Sequence, residues 1–146
     1  MDVRKIYFLL LSTVVLLTTV FSCSSVSQKT ESVSANAALD NIFARKSVRT
    51  YLNKGVEEEK IDLMLRAGMA APSGKDLRPW EFIVVTKRAS LDSMAAALPY
   101  AKMLTEARYA IVVCGDSTRS SYWYLDCSAA AQNILLAAES LGLGAV

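Results

Sequence analysis

MAAPSGKDLRPWEFIVVT, Met69 to Thr86, runs from the end of a helical pattern through a Pro/Ser/Gly loop into a short apolar run, Phe82 to Val85. Aromatic and β-branched residues bounded by turn formers read as a buried strand. Pro72, Ser73, Gly74 and Pro79 punctuate the loop so heavily that a helix cannot continue through it. A stiff loop between a helix end and a core strand suits gripping a ligand with backbone groups. An ordinary helix-to-strand connection is the plain alternative, and the loop by itself does not choose between them.

Upstream lies a second signal, Arg45-Lys-Ser-Val-Arg-Thr-Tyr51. Arg45, Lys46 and Arg49 with the Ser47 hydroxyl form a local anion site, because guanidinium forks match phosphate oxygens and Ser adds a neutral donor. Read alone, such a cluster is equally a solvated surface. Before it, Leu39, Ile42 and Phe43 recur at helical spacing over Ala37 to Arg45. After it, Glu57, Glu58 and Glu59 complement a helix dipole, and the apolar face from Ile61 to Met69 predicts a helix ending near Ala71-Pro72.

Beyond the first strand, Ala89 to Ala107 predicts two short helices broken near Pro99. Tyr109 to Cys114 predicts a second buried strand, closed by Gly115-Asp116. Tyr122 to Leu141 predicts a long helix, apolar nearly all round and therefore buried on every side, inside a domain or at a subunit interface. Gly142 and Gly144 stop it, and Ala145-Val146 opens another strand. Strands separated by helices imply an α+β or α/β domain around a central sheet. Two strands and a fragment are too few for a stable sheet, so further chain, a partner subunit or both must complete it.

The 146 residues, 53% hydrophobic, suit one domain. Part of that apolar content lies outside the core: a charged start, DVRK, precedes an apolar run from Ile6 to Phe21, the pattern of an export signal. The run is short for a membrane span. Ser22-Cys23 at its end resembles a bacterial lipoprotein cleavage site, although Phe21 is larger than usual there. Residues 1–22 are thus expected to be a signal peptide, with Cys23 lipidated and the chain held at the bacterial cell envelope, facing the periplasm. An uncleaved anchor or an ordinary signal peptide is the alternative. Ser-rich residues 23–37 read as a flexible tether, and the domain is expected over residues 38–146. A net charge of +2 gives no basic field for nucleic acid. With no histidine, and Cys114 and Cys127 far apart in sequence, no metal site is legible. The two cysteines read as buried thiols, with a disulfide as the alternative.

Taken together, residues 45–51 and the stretch Ala71-Pro-Ser-Gly-Lys-Asp-Leu-Arg-Pro-Trp-Glu-Phe-Ile-Val-Val85 resemble the nitroreductase family of FMN-dependent oxidoreductases. The resemblance extends to Gly142-Leu-Gly-Ala-Val146 and covers residues 38 to 146. It implies an α+β sandwich with a central, mostly antiparallel sheet flanked by helices, incomplete at the C-terminus, and an intimate homodimer with FMN at the subunit interface. It also implies that Arg45, Ser47 and Arg49, with Lys46 alongside, hold the FMN phosphate and ribityl chain. Pro72, Ser73 and Gly74 would meet the flavin from the other subunit, position 76 would reach its ring, and the long helix would form the dimer core. The implied activity carries electrons from NAD(P)H to an electron-poor acceptor such as a nitroaromatic or quinone. The cofactor does the redox chemistry, so no catalytic side chain is assigned and the absence of histidine is no obstacle.

Three departures stand out. Asp76 and Arg78 replace the family's usual Asn and frequent Gln, and are expected to form a compensating ion pair. The sequence stops before the family's later strands, so these residues are expected to hold FMN weakly by themselves. Export also separates the protein from the cytosolic nicotinamide pool. The alternatives are a non-catalytic envelope lipoprotein that keeps the fold, or a relative carrying out reductive dehalogenation or flavin breakdown.

Overall fold

Six regular elements follow from the apolar patterning, and the computed structural model describes residues 36–146. The expected signal peptide, Cys23 and nearly all of the tether lie outside the described residues. In order they are α1 (Ala37–Ala44), α2 (Glu58–Met69), β1 (Trp80–Val85), α3 (Arg88–Ala97), β2 (Ala110–Gly115) and α4 (Trp123–Ser140). Single 3-10 turns at Gly74–Asp76 and Lys102–Thr105 fill two of the connections. Among the described residues no helix is long and apolar enough to cross a membrane.

Local chemistry explains the ends of these elements. The Asn36 side chain accepts hydrogen bonds from the Ala38 and Leu39 amides, which satisfies two donors that the first turn of α1 leaves unpaired. At the end of α4 the Gly142 amide bonds to the Glu139 carbonyl and the Leu143 amide to the Ala138 carbonyl. These paired bonds form a Schellman turn, which needs a left-handed residue that Gly142 supplies at φ 71°. Leu143 then folds back onto Ala138 in the core.

β1 and β2 pair antiparallel, with Phe82 opposite Val113 and Val84 opposite Ile111. Side chains alternate across the ribbon, and Trp80, Phe82 and Val113 turn to the inner face. That face lies on α4, which also packs against α2. Met64, Ile134 and Ala138 make one core cluster, and Ala71, Trp80, Cys127 and Ala130 make a second; Phe82 and Val113 touch both. Asn133 of α4 donates to the Ala67 carbonyl near the end of α2, and Asn41 of α1 donates to Leu136 of α4. α1 and α2 are therefore each tied to α4 by a side-chain amide reaching a backbone carbonyl.

Three expectations need correction. α4 is buried along one stripe within this chain: Asp126, Cys127, Ala130, Ile134 and Ala138 are covered, whereas Tyr122, Trp123, Tyr124 and Leu125 are exposed. A stripe of small residues can meet only the elements this chain provides, and those cover one side. Second, the segment after α3 makes a 3-10 turn in place of a second α-helix. Arg88 donates to the Leu104 and Ala107 carbonyls and Lys102 to the Ala95 carbonyl, so each of the two pieces caps the other. Third, Cys114 is only partly buried and Cys127 is buried, and both are free thiols. Gly115 lies over the Cys127 sulfur, so strand alternation turns the neighbouring Cys114 to the opposite face of the sheet. Burial pushes the Cys127 thiol above its ordinary value, with the adjacent Asp126 adding to the shift.

Gly68 sets how closely α2 approaches this core. A Cβ there would stand 2.9 Å from Phe82 Cζ and 3.0 Å from Ile134. Gly68→Val is expected to destabilise the protein by about 1–3 kcal/mol through overpacking, more than the few tenths regained in helix propensity. In a thermal melt this corresponds to a fall of roughly 5–15 °C; a Tm at or above wild type would contradict the packing described.

Candidate functional site

The cation segment is ordered by its backbone. After the Schellman turn the chain reverses, and Ala145 pairs with Ser47 in a parallel bridge. The Val48 amide donates to the Ala145 carbonyl at 2.9 Å. Gly144 makes that approach feasible, since a Cβ there would lie 2.8 Å from a Val48 methyl. On its other side the segment is tied by Tyr51, whose hydroxyl donates to the Val48 carbonyl and whose amide donates to Glu106. Burial raises the Tyr51 phenol above its ordinary value, so it stays a neutral donor at physiological pH.

On this fixed backbone Arg45 is half-buried while Lys46, Ser47 and Arg49 are exposed. None of the three cations forms an ion pair among the described residues. Unneutralised guanidinium and ammonium groups beside a hydroxyl, on a backbone that need not reorganise, are a donor set for a phosphate.

The loop after α2 is held differently. The buried Asp126, 5% exposed, accepts the Ser73 hydroxyl at 3.1 Å and the Gly74 amide at 2.9 Å. Ser73 Oγ in turn accepts the Arg78 amide at 2.8 Å. Between these anchors the loop makes one 3-10 turn, so helical geometry is not wholly absent from it. Lys75, Asp76 and Arg78 all have left-handed backbone, with φ of 56°, 55° and 47°. Each costs about 1 kcal/mol or more for a side chain with a Cβ, so surrounding contacts must impose the shape. Asp76 and Arg78 form the expected ion pair, with Arg78 Nε donating to Asp76 Oδ1 at 2.7 Å. Both side chains are more than half exposed, which limits the pair to the modest worth of a surface salt bridge. Pro72 is exposed and Pro79 fully buried, and Gly74 rests on the Tyr122 ring, 2.9 Å from where a Cβ would sit. The buried Trp80 Nε1 next to the loop has no acceptor among the described residues.

The sequence reading therefore located the loop and the cation segment but missed Asp126. A lone carboxylate in the apolar stretch YWYLDCSAAA was the available signal. The Ser73 hydroxyl is engaged inside its own chain, donating to Asp126 and accepting the Arg78 amide. No cluster of His, Cys, Asp or Glu suited to a metal occurs among the described residues. A cleft of about 720 Å³ lies beside the far end of the cation segment, between residues 48–56, β2 and α4. Its walls include Met64, Ile111, Val113, Ile134 and Leu143, side chains of core character.

An antiparallel ribbon packed on a long central helix, with a phosphate-type cation segment and a strained proline loop, defines an α+β ligand-binding domain. The chain belongs to the nitroreductase family: that family's pattern matches residues 42–99 and 92–146. A relative from Methanothermobacter thermautotrophicus, provisionally named NADH dehydrogenase/NAD(P)H nitroreductase, is 49% identical over 117 residues, 78% of this chain and 61% of its own. A crystal structure of a Bacteroides thetaiotaomicron protein carrying the same provisional name is 86% identical. It superposes with a TM-score of 0.75 over 76% of this chain and 66% of that one. A Desulfovibrio desulfuricans protein provisionally named a nitroreductase, solved in complex with FMN, is 35% identical with a TM-score of 0.69, over 75% of this chain and 66% of that one. The chain thus spans about three fifths of the length of the archaeal relative.

Proposed function

We propose that this chain holds the cofactor of an FMN-dependent oxidoreductase that uses NAD(P)H to reduce an electron-poor acceptor such as a nitroaromatic or quinone. The observation that carries the reading is the Arg45–Arg49 segment, whose cations lack counter-ions among the described residues and whose backbone is pinned on both sides. Arg45, Arg49 and Ser47 would bind the FMN phosphate and ribityl hydroxyls, with Lys46 adding charge. Pro72 and Gly74 would supply a stiff edge for a flat ring, and Asp76 would lie near it, its charge offset by Arg78. When bound, FMN supplies the two-electron chemistry; the protein's part is to bind, orient and exclude water.

The protein acts as a homodimer in this reading. Phe43, Ile42 and Leu39 of α1, and at the start of α4 Tyr122, Tyr124 and Leu125, leave apolar side chains open that a second copy would cover. The loop and the cation segment would then meet across the two-fold axis. The N-terminal reading adds a lipid at Cys23 and a place at the bacterial envelope. The dehalogenating or flavin-degrading readings have no observation of their own here, and a non-catalytic role is disfavoured by the unneutralised cations.

The full-length protein is expected to purify yellow, with flavin absorbance bleached by NADH or NADPH. Arg45→Ala and Arg49→Ala should each weaken FMN binding about tenfold or more, from the loss of one charge-assisted phosphate contact. Colourless wild-type protein that gains no absorbance with added FMN would exclude the proposal. Asp76→Asn should raise the flavin midpoint potential by roughly 10–20 mV, on the order of 1 kcal/mol or less for a half-exposed charge; an unchanged or lowered potential in a dye-equilibrium titration would refute the charge-offset account. For the anchor, Cys23→Ser should abolish incorporation of an alkyne fatty acid in cells, and wild-type protein that takes up no label would end the lipoprotein assignment.

A further inference from the structure

Asp126 stands out among the buried groups because nothing in the function just described uses it. Its carboxylate is nearly inaccessible, yet among the described residues no cation lies within ion-pair distance. A buried charge without a counter-ion persists only where donors surround it. The donors here are the Ser73 hydroxyl on one oxygen and the Gly74 amide on the other, both from the 72–78 loop. A position in the first turn of α4 adds the favourable end of the helix dipole.

These bonds continue into the loop. The Arg78 amide donates to Ser73 Oγ, whose own proton is given to Asp126, so Ser73 closes a six-residue ring and the carboxylate anchors that ring at Ser73 and Gly74. Inside that ring lie the left-handed Lys75, Asp76 and Arg78. The other bonds that hold those three residues lie within the loop itself, namely the Arg78 amide on Ser73 Oγ, the Asp76 amide on the Ser73 carbonyl, the Leu77 amide on the Gly74 carbonyl and the exposed Asp76–Arg78 pair, whereas the Asp126 carboxylate ties the loop to α4. We infer that Asp126 is a positioning residue, holding the Pro72–Arg78 loop in the strained shape that presents it to the flavin and thereby setting cofactor affinity from beneath the site. This inference rests on the FMN reading, although the anchoring it describes can be measured without flavin.

The test uses the full-length protein and three variants, Asp126→Asn, Ser73→Ala and the double change. Hydrogen exchange is read at the Gly74 and Arg78 amides in the apoprotein, and the FMN dissociation constant is read by flavin fluorescence. Asp126→Asn is expected to speed exchange at both amides at least tenfold and to weaken FMN about tenfold. Ser73→Ala should do the same at Arg78. Because the two side chains act in one relay, the double variant should bind FMN within about threefold of the weaker single variant, not a hundredfold below wild type. Should Asp126→Asn fail to fold, Ser73→Ala alone decides through the Arg78 amide. A lower melting temperature with both amides still protected and FMN affinity within twofold of wild type would mean a purely structural role and overturn the inference. Additive losses would overturn it too. Wild-type protein that binds no FMN would defeat the functional proposal, whereas the exchange measurement would still decide whether Asp126 anchors the loop.

Discussion

One stripe of α4, running through Cys127, Ala130, Ile134 and Ala138, holds this domain together. The sheet lies on it through Phe82 and Val113, α2 through Met64, and α1 through the Asn41 bond to Leu136. The small side chains on the stripe let backbones come close, and Gly68 answers them from α2. At such separations there is no slack for a different rotation of the helix, because interior packing tolerates little change in volume. The position of everything attached to α4 is settled by that fit.

Both parts of the candidate site are attached to it. Asp126 at the N-terminal end holds the proline loop, and the Schellman turn at the C-terminal end delivers Gly144 and Ala145 to Ser47 and Val48. An 18-residue helix thus relates two loop segments that are separated in sequence by the whole of α2. Rigid elements carry the connecting loops, the common arrangement where loops serve a function. The strain in Lys75, Asp76 and Arg78 fits the same logic, since backbone in sparsely populated regions survives only where neighbouring contacts over-determine it.

The apolar side chains left open are informative beside this order. Phe43 is 79% exposed on a helix that is otherwise capped and anchored, and Tyr122, Tyr124 and Leu125 extend from the same end of α4 that grips the loop. Scattered exposed apolar residues need no explanation, but a group beside a ligand-type loop fits a surface that another protein surface covers.

Local chemistry made much of this legible from the chain alone. Apolar runs gave the places of both strands, which are only partly buried here, period-3.6 patterning gave the four α-helices to within a few residues, turn formers marked the loop, and the motif pair Arg45–Tyr51 with Ala71–Val85 identified the nitroreductase fold. Those signals are readable because they act between neighbours in sequence. The Asp126 anchor, the cross-capping by Arg88 and Lys102, and the Ser47–Ala145 bridge were not legible. Each joins residues whose partner is fixed only once α4 has packed, and a hydrogen bond across such a gap leaves no periodic trace. The residue types were determined locally; which donor meets which acceptor was decided by how closely the helices and sheet could approach.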